Sequence, residues 1–278
     1  MTRSNPFHLG LCQMRVLAGK PEQNRAHAVE LIDQARQLGA DVALLPECCN
    51  LGWTHPSAHE MAEPIPDGPT FRALASAAKK HGIYVCAGLV ERCGQSTFNS
   101  AVLIDRNGSL LLVHRKIHEL DIGHTFYMQG DRLQVVETDL GTMGVMICAD
   151  AFARGQVISR SLGYMGADVI LSPCAWAVEA THDNLTQPYG GLWKESYGAV
   201  ASDFRMWVAG VSNVGSVPSG PWAGRKCIGC SLVVNAHGEP EMMLPYGEDA
   251  ETVAVVRITP VPRPARGCSW GDVWKTQL

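Results

Sequence analysis

Residues 38–48 read Leu-Gly-Ala-Asp-Val-Ala-Leu-Leu-Pro-Glu-Cys, and residues 165–175 read Met-Gly-Ala-Asp-Val-Ile-Leu-Ser-Pro-Cys-Ala. A phrase that recurs in this way restricts the chain to folds in which two similar units meet. In each copy Gly closes a helix, Val-x-Leu forms a short strand buried on both faces, and Pro ends it, the pattern of a helix leading into a parallel strand. Ahead of the first copy Ala28, Leu31, Ile32, Ala35 and Leu38 recur every three or four residues, the spacing of a helix with one apolar face. Val157, Ile158, Leu162 and Met165 do the same ahead of the second.

The surroundings repeat too. The first half reads as a strand at 7–16, the helix and strand of the repeat, a helix at 71–80, a strand at 83–90, and a hairpin pairing 100–104 with 110–114 across Asp105-Arg-Asn-Gly108. The second half reads as a strand ending at Cys148, the helix and strand of the repeat, a helix at 192–204 and a strand at 207–211. A hairpin from 228–234 across 235–238 and a last strand at 252–258 complete it. Two such units bury most apolar surface by packing sheet on sheet with helices outside. The predicted fold is therefore an α/β four-layer α-β-β-α sandwich built from two pseudo-equivalent halves, with one domain over 1–259. Pro260, Pro262 and Pro264 break the pattern, so 260–278 reads as an extended C-terminal tail, docked through Trp270 and Trp274 on its own body or on a partner subunit.

Charge and composition exclude several functions. A net charge of −4 with 18% charged residues gives no basic patch for nucleic acid. No apolar run approaches the roughly 20 residues that span a bilayer, and the start Met-Thr-Arg-Ser-Asn-Pro lacks the apolar core of a secretory signal. Ten cysteines, scattered through apolar strands rather than framed as disulfide pairs, fit a reducing cytoplasm.

Open α/β sheets place reactive groups where strands end. Glu47 follows the strand closed by Pro46, Lys116 follows the hairpin strand ending at His114, and Cys148 closes the run Gly-Val-Met-Ile-Cys. Taken singly, each has a structural explanation: a buried thiol behaves as a small hydrophobe, and a charged residue beyond a strand is ordinarily solvated.

As an ordered set, Leu-Leu-Pro-Glu47, His-Arg-Lys116-Ile-His and Gly-Val-Met-Ile-Cys148-Ala-Asp resemble the glutamate, lysine and cysteine motifs of the nitrilase, or carbon–nitrogen hydrolase, superfamily. Gly-Ala-Asp-Val-Ile-Leu-Ser-Pro and Val-Ser-Asn213-Val-Gly extend the similarity, which spans residues 7 to about 258. The family's fold is the same four-layer sandwich. The resemblance implies that Glu47 takes the Cys148 proton, that Lys116 and the backbone N–H of Ala149 stabilise the oxyanion, and that a thioester forms and is hydrolysed without metal or cofactor. It also implies a homo-oligomer, dimer or higher, acting on a small molecule.

The chain departs from the family in the loop after the lysine, where many members carry a second glutamate near a Gly-Asp pair and this chain has none near Gly130. Glu119 is the nearest substitute, expected to orient Lys116 or the substrate nitrogen. Ala149-Asp150 stands where nitrilases proper usually have Trp-Glu, which favours amide or N-carbamoyl cleavage over nitrile hydrolysis. Trp53, Trp176 and His124 are candidate pocket residues. Cys227-Ile-Gly-Cys230 has no second CxxC to complete a zinc site, so no metal is expected. The competing reading is a catalytically silent nitrilase-fold binding or regulatory protein.

Overall fold

The repeated phrase has a structural cause that its spelling does not reveal. In a computed structural model describing residues 5–262, Asp41 accepts a hydrogen bond from the His8 N–H (2.9 Å) and Asp168 from the Thr142 N–H (2.8 Å). Both aspartates also use their backbones alike, donating N–H to His8 and Thr142 carbonyls and accepting from Tyr84 and Trp207 N–H groups. Gly39 and Gly166, at φ 90° and 95°, make the left-handed turn that ends each preceding helix. Each copy thus fastens a new strand between two neighbours at the same register.

In chain order the first half contains β1 (Phe7–Gln13), α1 (Pro21–Gln37), β2 (Val42–Leu44), the single turn α2 (Ala58–Met61), α3 (Pro69–His81), β3 (Tyr84–Cys93), β4 (Ser96–Ile104) and β5 (Leu110–Arg115). There follow β6 (Val135–Thr138), β7 (Gly141–Val145), α4 (Val157–Tyr164), β8 (Val169–Cys174), β9 (Ala177–Val178), α5 (Gly191–Phe204) and β10 (Trp207–Ser212). The last strands are β11 (Val214–Ser216), β12 (Lys226–Ile228), β13 (Leu232–Val234), β14 (Pro240–Met243) and β15 (Thr252–Ile258). One six-stranded sheet runs β15-β1-β2-β3-β4-β5 and the other β14-β13-β10-β8-β7-β6. Within each, a parallel trio (β1-β2-β3, β7-β8-β10) continues into antiparallel strands, so the halves are topologically equivalent.

Alternation along the strands builds the layers. Leu9, Leu11, Val42, Leu44, Cys86 and Leu103 from the first sheet meet Met143, Val145, Val169, Leu171, Ala209 and Val233 from the second in one buried core. The intervening residues, such as Ala43, Val85 and Val102, face α1 and α3, while Ile170, Val208 and Leu232 face α4 and α5. This is the four-layer sandwich expected from the sequence.

Three local expectations are corrected. Leu38 caps α1 and is 56% exposed, because the helix stops one residue before it and its side chain leaves the apolar face. The strand expected at 228–234 is split: Gly229 and Cys230 both have φ near 60°, which sends Ile228 into a small sheet with β9 and β11 and only Leu232–Val234 into the main one. The final strand β15 pairs antiparallel with β1, so it completes the sheet of the first half rather than its own. The tail reading at Trp270 and Trp274 lies outside the described residues. Among the described residues no helix is long and apolar enough to cross a membrane.

Gly88 on β3 shows how closely the strands are drawn in where β2 ends. A Cβ added there would lie 2.5 Å from the Glu47 Cα and 2.8 Å from the Pro46 carbonyl oxygen, both backbone-borne and unable to yield cheaply. Gly88→Ala is therefore expected to destabilise the fold by about 2 kcal/mol or more, as overpacking against backbone does, read as a lowered urea midpoint. An unchanged midpoint would show that the Glu47 segment is free to move.

Candidate active site

Glu47, Lys116 and Cys148 come from three strand exits, and each is pinned by its backbone to a neighbouring strand. The Glu47 N–H donates to the Cys174 carbonyl (3.1 Å), the Lys116 N–H to the Asn99 carbonyl (2.8 Å), and the Cys148 N–H to Ser172 Oγ (3.2 Å). Cys148 does not end a strand as expected. β7 stops at Val145, and Cys148 opens a 3-10 turn, Cys148–Phe152, with φ 44°. Left-handed backbone costs a non-glycine residue roughly 1–2 kcal/mol, and Cys48, directly after Glu47, carries the same feature at φ 47°.

Asp150 secures the turn. It is fully buried, its Oδ2 lies 2.7 Å from His114 Nε2, and its oxygens accept from the backbone N–H groups of Ile117 (3.1 Å), His118 (2.8 Å) and Ile147 (2.9 Å). Burial alone would raise its pKa, but the bond and charge of His114 and the backbone donors outweigh that and lower it. One carboxylate thereby ties the Cys148 turn to the segment that carries Lys116.

The Lys116 ammonium sits between two carboxylates, 2.7 Å from Glu47 Oε1 and 2.9 Å from Glu119 Oε1, with all three side chains at most 3% exposed. Asn99 Nδ2 bridges the same two acids, donating to Glu47 Oε1 (2.7 Å) and Glu119 Oε2 (3.0 Å). Its Oδ1 accepts from the Cys48 thiol at 3.4 Å, which fixes the amide with its donors toward the carboxylates. Burial works against the Lys116 charge, but Glu47, Glu119 and Cys148 reverse it and hold the ammonium well above its ordinary pKa. Glu47 is shifted upward, chiefly by burial; Lys116 opposes this and Glu119 adds to it. Cys148 is raised as well, first by a hydrogen bond with Cys174, then by burial and the Glu47 charge, against the pull of Lys116. The arrangement offers a base with raised proton affinity, a permanent cation and a partly exposed thiol.

These groups open into a pocket with about 450 Å³ of unfilled space, its mouth included. Glu47, Lys116, Cys148 and Ala149 line its reactive part, and Trp53, Phe152, Trp176, Tyr189, Trp193 and Trp222 form aromatic walls.

The model of the carbon–nitrogen hydrolase family matches residues 8–262. The chain belongs to that family. A nitrilase of Pyrococcus abyssi is 33% identical to this hydrolase over 251 residues, covering 88% of it and 87% of the relative. An omega-amidase of Xenopus tropicalis is 31% identical over 264 residues, covering 90% and 91%. Among solved structures, a carbon–nitrogen hydrolase from Helicobacter pylori G27 superposes with a TM-score of 0.80 at 22% identity, covering 92% of this hydrolase and 90% of that chain. Saccharomyces cerevisiae Nit3, a nitrilase-superfamily member, gives 0.77 at 20% identity, covering 94% and 92%. These likenesses set the hydrolase in the amidase-like part of the nitrilase superfamily.

Of the residues singled out from the sequence, Glu47, Lys116 and Glu119 are in direct contact, and Cys148, Ala149, Trp53 and Trp176 line the pocket they open into. His124 is misplaced by the expectation. It lies exposed on a 3-10 turn, Asp121–Thr125, and is not among the residues lining the pocket. Cys227 and Cys230 are buried free thiols, and among the described residues no group of three or more His, Cys, Asp or Glu is placed to hold a metal. Sequence reasoning missed Asn99, the anchoring role of Asp150, and the walls contributed by Phe152, Tyr189, Trp193 and Trp222. For Asn99 a signal existed: it shares a face of β4 with Ala101 and Leu103, which point into the core between the sheets.

Because Cys174 contributes most to the raised Cys148 pKa, Cys174→Ala should lower it. Alkylation by iodoacetamide, mapped to Cys148 by mass spectrometry with exposed Cys93 as internal reference, should then begin at lower pH than in the unaltered protein. A profile that stays in place would remove Cys174 from the electrostatics of the site.

Proposed function

We propose that this hydrolase cleaves an amide or N-carbamoyl C–N bond through a thioester on Cys148. The observation that carries the reading is a buried ammonium held by two carboxylates in the pocket that Cys148 lines. Lys116 and Asn99 both bond to Oε1 of Glu47, which leaves Oε2 to take the thiol proton. Sulfur attacks the carbonyl carbon, and the negative charge moves onto oxygen, facing Lys116 and the Ala149 N–H. Glu47 returns the proton to the substrate nitrogen, the C–N bond breaks, and ammonia or an amine leaves. Water, deprotonated by Glu47, then attacks the thioester; the acid departs and Cys148 regains its proton. Lys116 has no part in proton transfer, as suits an ammonium whose pKa is held up by its neighbours. Glu119 fixes the lysine head and shares Asn99 with the base.

Ala149-Asp150 favours amides over nitriles, since Asp150 is wholly occupied in holding the turn. The amidase names among the relatives point the same way. Incubating the protein with amides, N-carbamoyl compounds and nitriles while measuring ammonia, and trapping a Cys148 adduct by mass spectrometry, tests the reading. Cys148→Ala is expected to abolish release; unchanged release would overturn the assignment.

Glu119→Gln keeps the shape but removes a charge from the pair around Lys116. Turnover is expected to fall by roughly a hundredfold or more, and near-normal kcat would reject a role for Glu119 in the reaction.

A further inference from the structure

The walls of the pocket carry more information than its reactive groups. Trp176, fully buried, stacks on Trp193 with centroids 4.6 Å apart, and Trp193 in turn packs against Phe152 at 4.3 Å. The Trp193 indole N–H donates to the Tyr189 hydroxyl (2.9 Å), so this wall is locked by ring contacts and a hydrogen bond. A second aromatic group comes from elsewhere in the chain: Trp53 and Trp222 meet edge to face at 4.9 Å. Among the described residues Lys116 is the only cationic side chain lining the pocket, and two carboxylates already hold it. With both acids ionised the three charges sum to −1, and protonating Glu47 brings them only to zero. As long as one of the two acids is ionised, the site carries no net positive charge. A carboxylate on the substrate would find no unpaired cation among the lining side chains, since the Arg225 guanidinium over Trp222 is itself held by Glu179, and between aromatic faces an unpaired charge is costly. An apolar chain or ring would gain from the same surfaces.

Resting on the amidase reading, we propose that the pocket selects amides whose acyl group is uncharged and apolar, aryl or short alkyl, and rejects those bearing a terminal carboxylate. Trp222, half-buried at the edge of the second aromatic group, contributes to that selection. Selection and chemistry separate in the test. Binding of phenylacetamide, hexanamide and succinamate to Cys148→Ala protein, measured by calorimetry, reads the pocket without turnover. Ammonia release by the unaltered enzyme from the same amides reads the reaction.

The uncharged amides are expected to bind roughly tenfold or more tightly than succinamate, with the ratio reduced at least about threefold in the Cys148→Ala, Trp222→Ala double variant. Equal or tighter binding of succinamate overturns the proposal. So does a ratio that persists unchanged without Trp222, as far as that residue is concerned. Selective binding without any ammonia release would sustain the pocket's preference and instead sink the hydrolytic reading.

Discussion

The bond on which this site depends is the buried ion pair between Lys116 and Glu47, extended by Glu119 to a triad. Three ionised groups removed from water are an expense unless each is met by an opposite charge or a hydrogen bond, and removing one partner of such a set typically costs about 3–5 kcal/mol. Here the two acids share one ammonium, so charge alone does not balance. The Asn99 amide donates to both, and the Leu120 N–H supplies another donor to Glu119 at 3.0 Å. The set is satisfied only if the exits of β2 and β5 stay in register with the Asn99 end of β4, which makes the backbone bonds among those strands part of the electrostatics.

The internal repeat places Glu47 of this triad and then breaks its own symmetry. Both copies end against each other at the Glu47 N–H to Cys174 carbonyl bond. The first copy delivers a carboxylate there. The second delivers Ser172, whose hydroxyl accepts from the Cys148 backbone, and Cys174, whose thiol approaches that hydroxyl at 3.5 Å. In the proposed reaction one half therefore supplies the base while the other supports the nucleophile. The cleft between two equivalent strand ends is where open α/β units have room for a ligand, and pairing two units closes it from both sides.

This division explains what could be read from the sequence. The layers were legible because strands buried on both faces and helices with one apolar face leave periodic marks, and because the repeat fixed their order. Glu47, Lys116 and Cys148 were legible as ordered motifs at strand ends. Asn99 left only the mark of a polar residue on the core-facing side of β4; its partners are two acids far away in the chain that meet its amide only after β3, β4 and β5 have paired. The left-handed turn at Cys148 left no glycine to announce it; a bulky apolar run instead suggested a longer strand. The edge pairing of β15 with β1 joins residues more than two hundred positions apart, a choice that no local pattern specifies. The aromatic walls come from separate loops and α5, and no spacing relates them. His124, offered as a pocket residue, lies exposed on the turn Asp121–Thr125.

Burial raises the proton affinity of both Glu47 and Cys148, which at first sight hinders a reaction that must form a thiolate. Proton transfer between neighbours depends on the difference between their affinities, however, and shifts in the same direction partly cancel in that difference. Lys116 lies close enough to influence both groups, so in the proposed reaction the negative charge passes from carboxylate to sulfur and then to the carbonyl oxygen without leaving the field of one cation. That cation need neither titrate nor travel. Glu119 and Asn99 hold the surrounding hydrogen-bond geometry while the charge moves, so little reorganisation is required in the transition state, the condition under which fixed charges stabilise it most.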